Sequence, residues 1–214
     1  MELTVKYLFV ALLWALWCTL HSSLIAPTVM DYMERTLGER FRFYRLSYNI
    51  VSFATLVPLM YYSISIPQGP VFRWEGHWVI VKYLLLLTSI LLFVAGSRHY
   101  SMSHFLGLSQ IRMGHDSHTL SGHNTFHTSG ILGVIRHPWY TGGIIIVWAS
   151  DISLSTLLIN MVIDAYFVIG TILEERKLLL EFGDTYREYQ KKVSMFFPYK
   201  WLRARMARVL THNG

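Results

Sequence analysis

The sequence predicts an all-α, polytopic membrane helix bundle with about five spans. Three observations predict this class. Of the 214 residues, 53% are hydrophobic and only 15% are charged, whereas a soluble domain carries about a quarter charged residues. The mean hydropathy is +0.36. The apolar residues also form several runs of about 20, which is the length that crosses a bilayer as a helix.

Three such runs lie in the N-terminal part, at residues 7–26, 44–64 and 77–96. Pro58 is expected to kink the second helix, because proline removes one helical hydrogen bond. The first run is too long and too aromatic for a signal peptide. We therefore divide the chain into residues 1–96, with three membrane helices, and residues 97–214, the functional part.

The functional part begins with a polar region, residues 97–134, and continues with an apolar stretch, residues 140–173. That stretch is too long for one span and just long enough for two short ones. Asp151 and Ser153 mark a plausible turn, so we predict a C-terminal helical hairpin. The charged tail after Glu174 is amphipathic, and its segment 201–210 is expected to lie at the membrane interface.

The basic residues predict the orientation, because cytoplasmic loops of membrane proteins are rich in lysine and arginine. The loop between the second and third spans holds only Arg73, whereas the first loop, the polar region and the tail are basic. The N-terminus is then outside and the tail cytoplasmic, in what we expect to be a bacterial inner membrane. The net charge of +6 fits this basic rim, and no nucleic-acid-binding motif is present.

The stretch Arg136–Gly143, RHPWYTGG, precedes the hairpin. Proline is favoured at the first helical position, and the N–H groups of a helix start can hold a carboxylate or phosphate. Arg136 could add a bidentate clamp, and the Gly142–Gly143 pair lets a ligand or another helix approach. A simple positive-inside anchor and plain helix packing remain alternatives.

The hairpin ends at Glu174 and Glu175. Acidic residues at a helix C-terminus oppose the helix dipole, so two in a row suggest a cationic partner. The alternative is a solvated helix face with i,i+3 ion pairs. A ligand that is anionic at one end and cationic at the other would suit the two ends of the hairpin, which the predicted topology brings to the cytoplasmic face.

These motifs together resemble the isoprenylcysteine carboxyl methyltransferase and phospholipid methyltransferase superfamily of membrane enzymes. The shared pattern is a glycine before Arg-His-Pro-x-Tyr-x-Gly, then Glu-Glu, then Phe-Gly-x-x-Tyr-x-x-Tyr and a proline. It is carried here by Gly130, Arg136, His137, Pro138, Tyr140, Gly142, Glu174, Glu175, Phe182, Gly183, Tyr186, Tyr189 and Pro198. The N-terminal stretches LHSSLIAP and FYRLSYNIVSF are similar to the NnrU-like and methanethiol S-methyltransferase-like branches.

The resemblance implies a cytoplasmic pocket for S-adenosylmethionine. The residues that it assigns to the cofactor are Asn124, Thr125, Phe126, His127, Gly130, Arg136, His137, Pro138, Trp139, Tyr140 and Glu174. Two positions depart from the isoprenylcysteine enzymes, which carry a tyrosine where Leu132 stands and a substrate-binding arginine where Gly170 stands. The second departure favours a small thiol or a lipid-like acceptor over a free carboxylate.

Methyl transfer from a sulfonium needs positioning and desolvation more than a metal, and no metal site is predicted. A thiol or ammonium acceptor must lose a proton, for which Glu175 and His21 are candidates. Arg136 is the third candidate catalytic residue. Polar groups in membrane segments are functional candidates, so Tyr48 and Asn49 are expected to contact the substrate. A helix–helix hydrogen bond is the alternative for His21.

Two other functions stay open. Histidine is a common metal and haem ligand, so the histidine-rich polar region allows a membrane haem or metal protein of redox or nitrogen-oxide metabolism. Its histidines are His99, His104, His115, His118, His123 and His127. The single cysteine, Cys18, excludes an intramolecular disulfide or a cysteine-rich metal site. A non-catalytic membrane scaffold is the third possibility, and the sequence leaves the oligomeric state open.

Overall fold

The computed structural model describes residues 2–66, 69–99, 101–113 and 128–212. These residues are predominantly helical, which confirms the predicted all-α class. The helices are α1 (Glu2–Leu24), α2 (Pro27–Leu37), α3 (Tyr44–Ser65), α4 (Trp78–Ser97), α5 (Met102–Leu106), α6 (Leu108–Met113), α7 (Pro138–Trp148), α8 (Leu154–Lys192) and α9 (Tyr199–His212). Short 3-10 helices lie at Gly38–Phe43 and Gly130–Gly133, and the strands β1 (Pro70–Phe72) and β2 (Ile152–Ser153) pair antiparallel.

Three of the described helices are both long and apolar enough to cross a membrane, namely α1, α4 and α8. Helix α3 has 22 residues and continues through Pro58, so it reaches about 33 Å at 1.5 Å per residue. Helix α7 has 11 residues and reaches only about 17 Å, which is shorter than the hydrocarbon core. The chain is an integral membrane protein.

The predicted hairpin is present as α7 and α8, with its turn at residues 149–153. The turn ends in a local cap, since the Thr156 amide donates to Ser153 Oγ at 3.3 Å and the Ser153 amide donates to Thr156 Oγ1 at 2.6 Å. The second arm is longer than the apolar pattern suggested. Helix α8 continues through Glu174 and Glu175, because glutamate, arginine and lysine are good helix formers. Its helical course is interrupted at Gly183, and a further helical segment then ends at Lys192.

The chain forms two compact units, each assembled from separate stretches of sequence. Unit one contains residues 1–75, 100–123 and 150–166, and unit two contains residues 76–99, 124–149 and 167–214. The units are defined by contacts between residues, and each therefore combines stretches that are distant along the chain. The division at residue 97 stays a prediction about function.

The core of unit one is apolar and lies between α1, α3 and the first part of α8. Tyr7, Val10 and Trp14 from α1 pack with Ile66 and Ile159. The indole of Trp14 donates to Ser63 Oγ at 2.9 Å, so the one polar atom that this side chain buries has a partner.

In unit two, α4 and α7 pack closely through small residues. Ser89 Oγ donates to the Gly142 carbonyl at 2.9 Å, and the indole of Trp139 donates to the Phe93 carbonyl at 3.1 Å. A Cβ atom at Gly142 would lie 3.2 Å from the Phe93 ring, and one at Gly143 would lie 2.7 Å from the Phe167 ring. Two aromatic rings of unit two therefore pack against the glycine pair. This contact corresponds to helix packing, the alternative to ligand binding that the sequence left open.

Candidate functional site

Arg136, two residues before the start of α7, makes a buried ion pair with Glu175 of α8. The guanidinium donates through Nε to Oε1 at 2.6 Å and through Nη2 to Oε2 at 3.0 Å. This is the bidentate geometry that matches guanidinium to carboxylate. Its remaining nitrogen, Nη1, donates to the Val193 and Gln190 carbonyls. The clamp that the sequence assigned to a ligand is thus made within the protein.

Further donors complete the shell of Glu175. His137 Nε2 lies 3.0 Å and the Tyr186 hydroxyl 3.2 Å from Oε1, and Gln190 Nε2 donates to Oε2 at 2.7 Å. An ionised carboxylate only accepts and offers about four lone-pair sites. Together with the two bonds from Arg136 these sites are filled, which favours a positioning role for Glu175 over the predicted role of base.

Residues 193–196, which we call the return segment, run along the start of α7. Ile135 and Ser194 form a parallel bridge. The amide of Arg136 donates to the Ser194 carbonyl at 2.9 Å and that of His137 to the Met195 carbonyl at 3.2 Å. Two amides that could have faced an anion are therefore used to hold the return segment.

A glycine turn brings the last part of α8 back to Glu175. In a straight helix the 11 residues from Glu175 to Tyr186 would span about 16 Å, yet their side chains are 3.2 Å apart. Gly183 has φ 54° and ψ −127°, a conformation that only glycine adopts readily. The buried cluster of Tyr186, Tyr189 and Val193 forms beyond this turn.

Glu174 differs from its neighbour Glu175 in its hydrogen bonding with the described residues. Its side chain is 22% exposed. Its Oε2 atom is buried and has no hydrogen-bond partner within the described part of the chain. His137 Nδ1 lies 3.7 Å from this oxygen. Because Nε2 of the same ring faces Glu175, His137 lies between the two carboxylates.

Other predicted cofactor residues lie around this network in unit two. Pro138 is the first residue of α7 and is buried. The Tyr140 ring packs edge-on against His137, with 5.7 Å between centroids, and against Phe167. Gly130 has φ 61°, and a Cβ atom there would lie 2.9 Å from His99 Nε2. A glycine is therefore needed at this position for both conformation and space.

His21 lies in unit one, in a half-buried aromatic cluster. Its ring stacks on Trp17 with centroids 4.7 Å apart, and Tyr166 meets it edge-on at 6.3 Å. The Tyr48 hydroxyl lies 2.7 Å from Nε2, and Ser52 Oγ lies 3.1 Å from Nδ1. Hydroxyl groups can both donate and accept, so either tautomer of His21 finds a partner.

Of the remaining predicted site residues, some lie among the described residues and others do not. Asn49 donates to the Phe105 carbonyl at 3.1 Å, a bond that joins α3 to α5. Asn124, Thr125, Phe126 and His127 lie outside the described residues, as do His115, His118 and His123. Of the other two histidines of the polar region, His104 is buried and contacts Gln110 and Arg45. Among the described residues no group of three His, Cys, Asp or Glu side chains could hold a metal ion.

Sequence reasoning did not assign Tyr186, Gln190 and the return segment to the site. Tyr186 and Tyr189 belong to the motif that carries the resemblance, and their spacing of three places them on one helix face. That spacing was the sequence feature from which Tyr186 could have been assigned to the site. No sequence feature pointed to Gln190, because its contact with Glu175 depends on the turn at Gly183.

The fold and this network define a class: an integral membrane helical protein with a buried Arg–Glu–His network where α7 meets α8. A family model described as NnrU protein matches residues 8–207. The chain therefore belongs to the NnrU protein family, and the predicted resemblance to the membrane methyltransferase superfamily is confirmed.

Relatives named as methyltransferases extend this comparison. The chain is 28% identical over 198 residues to methanethiol S-methyltransferase 2 of Bradyrhizobium diazoefficiens, covering 91% of this chain and 74% of the relative. It is 40% identical over 76 residues to methanethiol S-methyltransferase 1 of the same organism, covering 35% and 27%. It is 36% identical over 77 residues to protein-S-isoprenylcysteine O-methyltransferase of Schizosaccharomyces pombe, covering 33% and 32%. No solved structure matches the chain.

Proposed function

We propose that this protein is an S-adenosylmethionine-dependent methyltransferase that methylates a small thiol or lipid-like acceptor at the cytoplasmic face of the membrane. Relatives named for S-methyl and O-methyl transfer support the general activity. They do not favour the haem or metal alternative. The observation that carries the cofactor assignment is the buried oxygen of Glu174, which has no hydrogen-bond partner among the described residues, beside a fully bonded Glu175.

The donor set fits S-adenosylmethionine. A buried carboxylate oxygen without a partner costs free energy, and an ammonium or a ribose hydroxyl would supply its missing donor. Aromatic faces also attract cations, and Tyr140 and Trp139 lie at the start of α7, next to His137. We therefore assign the cofactor to Glu174, His137, Trp139 and Tyr140, and to Asn124–His127 by resemblance.

The roles of the other residues follow from their contacts. Arg136 and Glu175 do not need to touch the cofactor, since their bonds fix the start of α7 against α8 and orient His137 between the carboxylates. Bound S-adenosylmethionine would supply an electrophilic methyl group on a positively charged sulfur. Positioning of this kind is the main contribution of a protein to such a transfer.

The acceptor assignment rests on charge. Gly170 stands where the isoprenylcysteine enzymes carry a substrate-binding arginine, and a Cβ atom there would be 3.7 Å from the Tyr140 ring. A free carboxylate would lack that counter-charge, whereas a neutral thiol needs none. A thiol must lose its proton before or during transfer. The filled lone pairs of Glu175 disfavour it as the acceptor of this proton, and His21 stays a prediction from the sequence.

Calorimetric titration of S-adenosylmethionine into the detergent-purified protein tests the proposal. We expect micromolar binding that weakens at least about tenfold in Glu174→Ala, which corresponds to about 1.4 kcal/mol. Glu188→Gln is the matched control, because it removes an exposed carboxylate from the same helix. A folded protein that does not bind the cofactor would contradict the donor assignment, and haem and metal binding should then be measured.

The acceptor class is tested separately by methyl transfer to three acceptors: a small alkyl thiol, a lipid amine and a prenylated cysteine. We expect the thiol or the lipid amine to be preferred. Preference for the carboxylate of prenylcysteine would reverse the acceptor assignment while leaving the cofactor assignment intact. The cytoplasmic position of the tail can be checked with reporter fusions after residue 214 and before α1.

A further inference from the structure

The C-terminal helix α9 presents an apolar face that no described residue covers. Every residue from 202 to 209 is exposed. The large apolar side chains among them, with Tyr199, are 41–66% exposed: Tyr199 55%, Leu202 41%, Met206 66% and Val209 56%. Apolar groups of this size gain free energy by leaving water, so an isolated helix face of this kind calls for a partner.

The four apolar residues form one continuous stripe. At about 100° per residue they fall within an arc of about 80°. Arg203 and Arg205 lie about 40° beyond the two edges of that arc. Arginines on both borders of an apolar stripe are typical of helices that lie in a membrane interface, because their stems cover apolar surface while the guanidinium groups reach outward.

The charge of α9 is of one sign. Lys200, Arg203, Arg205 and Arg208 are its basic residues, and the helix contains no aspartate or glutamate. Its first turn is fastened to unit two, since the Lys200 amide donates to Ser194 Oγ at 3.1 Å and its Nζ donates to the Gln190 carbonyl at 2.6 Å. The rest of the helix is basic and amphipathic.

We propose that α9 lies in the membrane–water interface, with Leu202, Met206 and Val209 inserted between lipids and Arg203 and Arg205 bound to anionic phospholipid headgroups. Charge complementarity selects this partner, because polybasic amphipathic helices are attracted to anionic leaflets. The protein already spans the bilayer, so this surface is always within reach. The inference is independent of the proposed enzymatic activity.

Site-directed spin labelling of the full-length protein tests this placement. A nitroxide is attached in a Cys18→Ser background at Met206→Cys, within the stripe, or at Ala204→Cys, on the opposite face. The protein is reconstituted in nanodiscs of phosphatidylcholine with or without phosphatidylglycerol. Collisions with oxygen, which concentrates in lipid, are compared with collisions with a water-soluble nickel chelate.

We expect the label at position 206 to favour oxygen and the label at 204 to favour the nickel chelate. This contrast should increase with phosphatidylglycerol and should lose that increase in Arg203→Gln/Arg205→Gln. Equal nickel access at both positions would overturn the proposal, and so would a contrast that is indifferent to anionic lipid. Shielding from both reagents, or dipolar broadening between labels, would show instead that protein or a second copy covers the stripe.

Discussion

Arg136 and Glu175 are 39 residues apart in sequence and meet through two parallel hydrogen bonds of 2.6 and 3.0 Å. Both residues are buried, and each makes additional bonds to the segment after Gly183. One ion pair therefore joins the start of α7, the middle of α8 and the return segment.

Glu175→Gln should destabilise the protein strongly. The substitution keeps the shape of the side chain but places an amide group against the guanidinium and leaves Arg136 as a buried charge without a counter-ion. Breaking a buried pair in this way costs about 3–5 kcal/mol. The measurement is the apparent melting temperature in detergent.

Glu188→Gln is the control for that substitution, because Glu188 forms an exposed pair with Lys191 at 2.6 Å. Exposed pairs contribute little to stability, so its melting temperature should stay close to that of the wild type. Equal effects of the two substitutions would show that the network around Glu175 does not stabilise the fold.

Gly183→Ala should be destabilising by about 1–3 kcal/mol, because alanine strains a backbone conformation that only glycine adopts easily. A Cβ atom at this position meets no atom within 4 Å, so the effect would be conformational and not steric. Gly69→Ala is the control, since Gly69 also has open space but no positive φ. Similar melting temperatures for the two variants would refute the conformational argument.

Gly143→Ala should also destabilise the protein, although alanine favours a helix by about 1 kcal/mol over glycine. The new Cβ atom would lie 2.7 Å from the Phe167 ring, and overpacking costs about 1–3 kcal/mol. Phe167→Leu should partly rescue the variant. Gly142→Ala, with 3.2 Å to Phe93, should cost less, and the reverse order would contradict the packing described here.

Gly170→Arg should redirect acceptor choice, if the proposed function is correct. The Cβ position is open enough, at ordinary contact distance from Tyr140, and the guanidinium would offer a charge-assisted bond to a carboxylate. Such bonds contribute about 1.5–3 kcal/mol, so kcat/KM for a carboxylate-bearing acceptor should rise about tenfold or more relative to a neutral thiol. Gly170→Gln adds length without charge. The same preference in both variants would argue against the charge effect.

His21→Gln should lower turnover with an alkyl thiol if His21 accepts the thiol proton. The effect should be much smaller with an acidic aryl thiol, which is already ionised at the assay pH. Calorimetric binding of S-adenosylmethionine to this variant should stay unchanged. An equal loss with both thiols would instead indicate a structural role within the cluster of Trp17, Tyr48 and Tyr166.

Much of the fold could be predicted because local sequence determines it. Runs of about 20 apolar residues satisfy the length and solvation demands of a membrane helix without reference to the rest of the chain. The turn near Asp151 and the start of α7 at Pro138 were likewise predictable. The motif that carries the resemblance also singled out Arg136, His137 and the two glutamates, which the structure brings into one network. The extent of α8 was not, because the loss of hydropathy after Leu173 marks a change of environment and not the end of a helix.

The partners of these residues were decided only by the tertiary structure. The sequence alone established a membrane helix bundle, its hairpin and the residue types of the site, since hydropathy, proline and glycine positions act locally. It did not establish that Arg136 binds Glu175 or that Gln190 completes the network. Nor did it show that Oε2 of Glu174 lacks a hydrogen-bond partner among the described residues. The contact of Gln190 depends on the backbone reversal at Gly183, and the pair of Arg136 and Glu175 depends on how α7 lies against α8. Both bring residues distant along the chain within hydrogen-bonding distance, and side-chain pairing of that kind has no periodic signature.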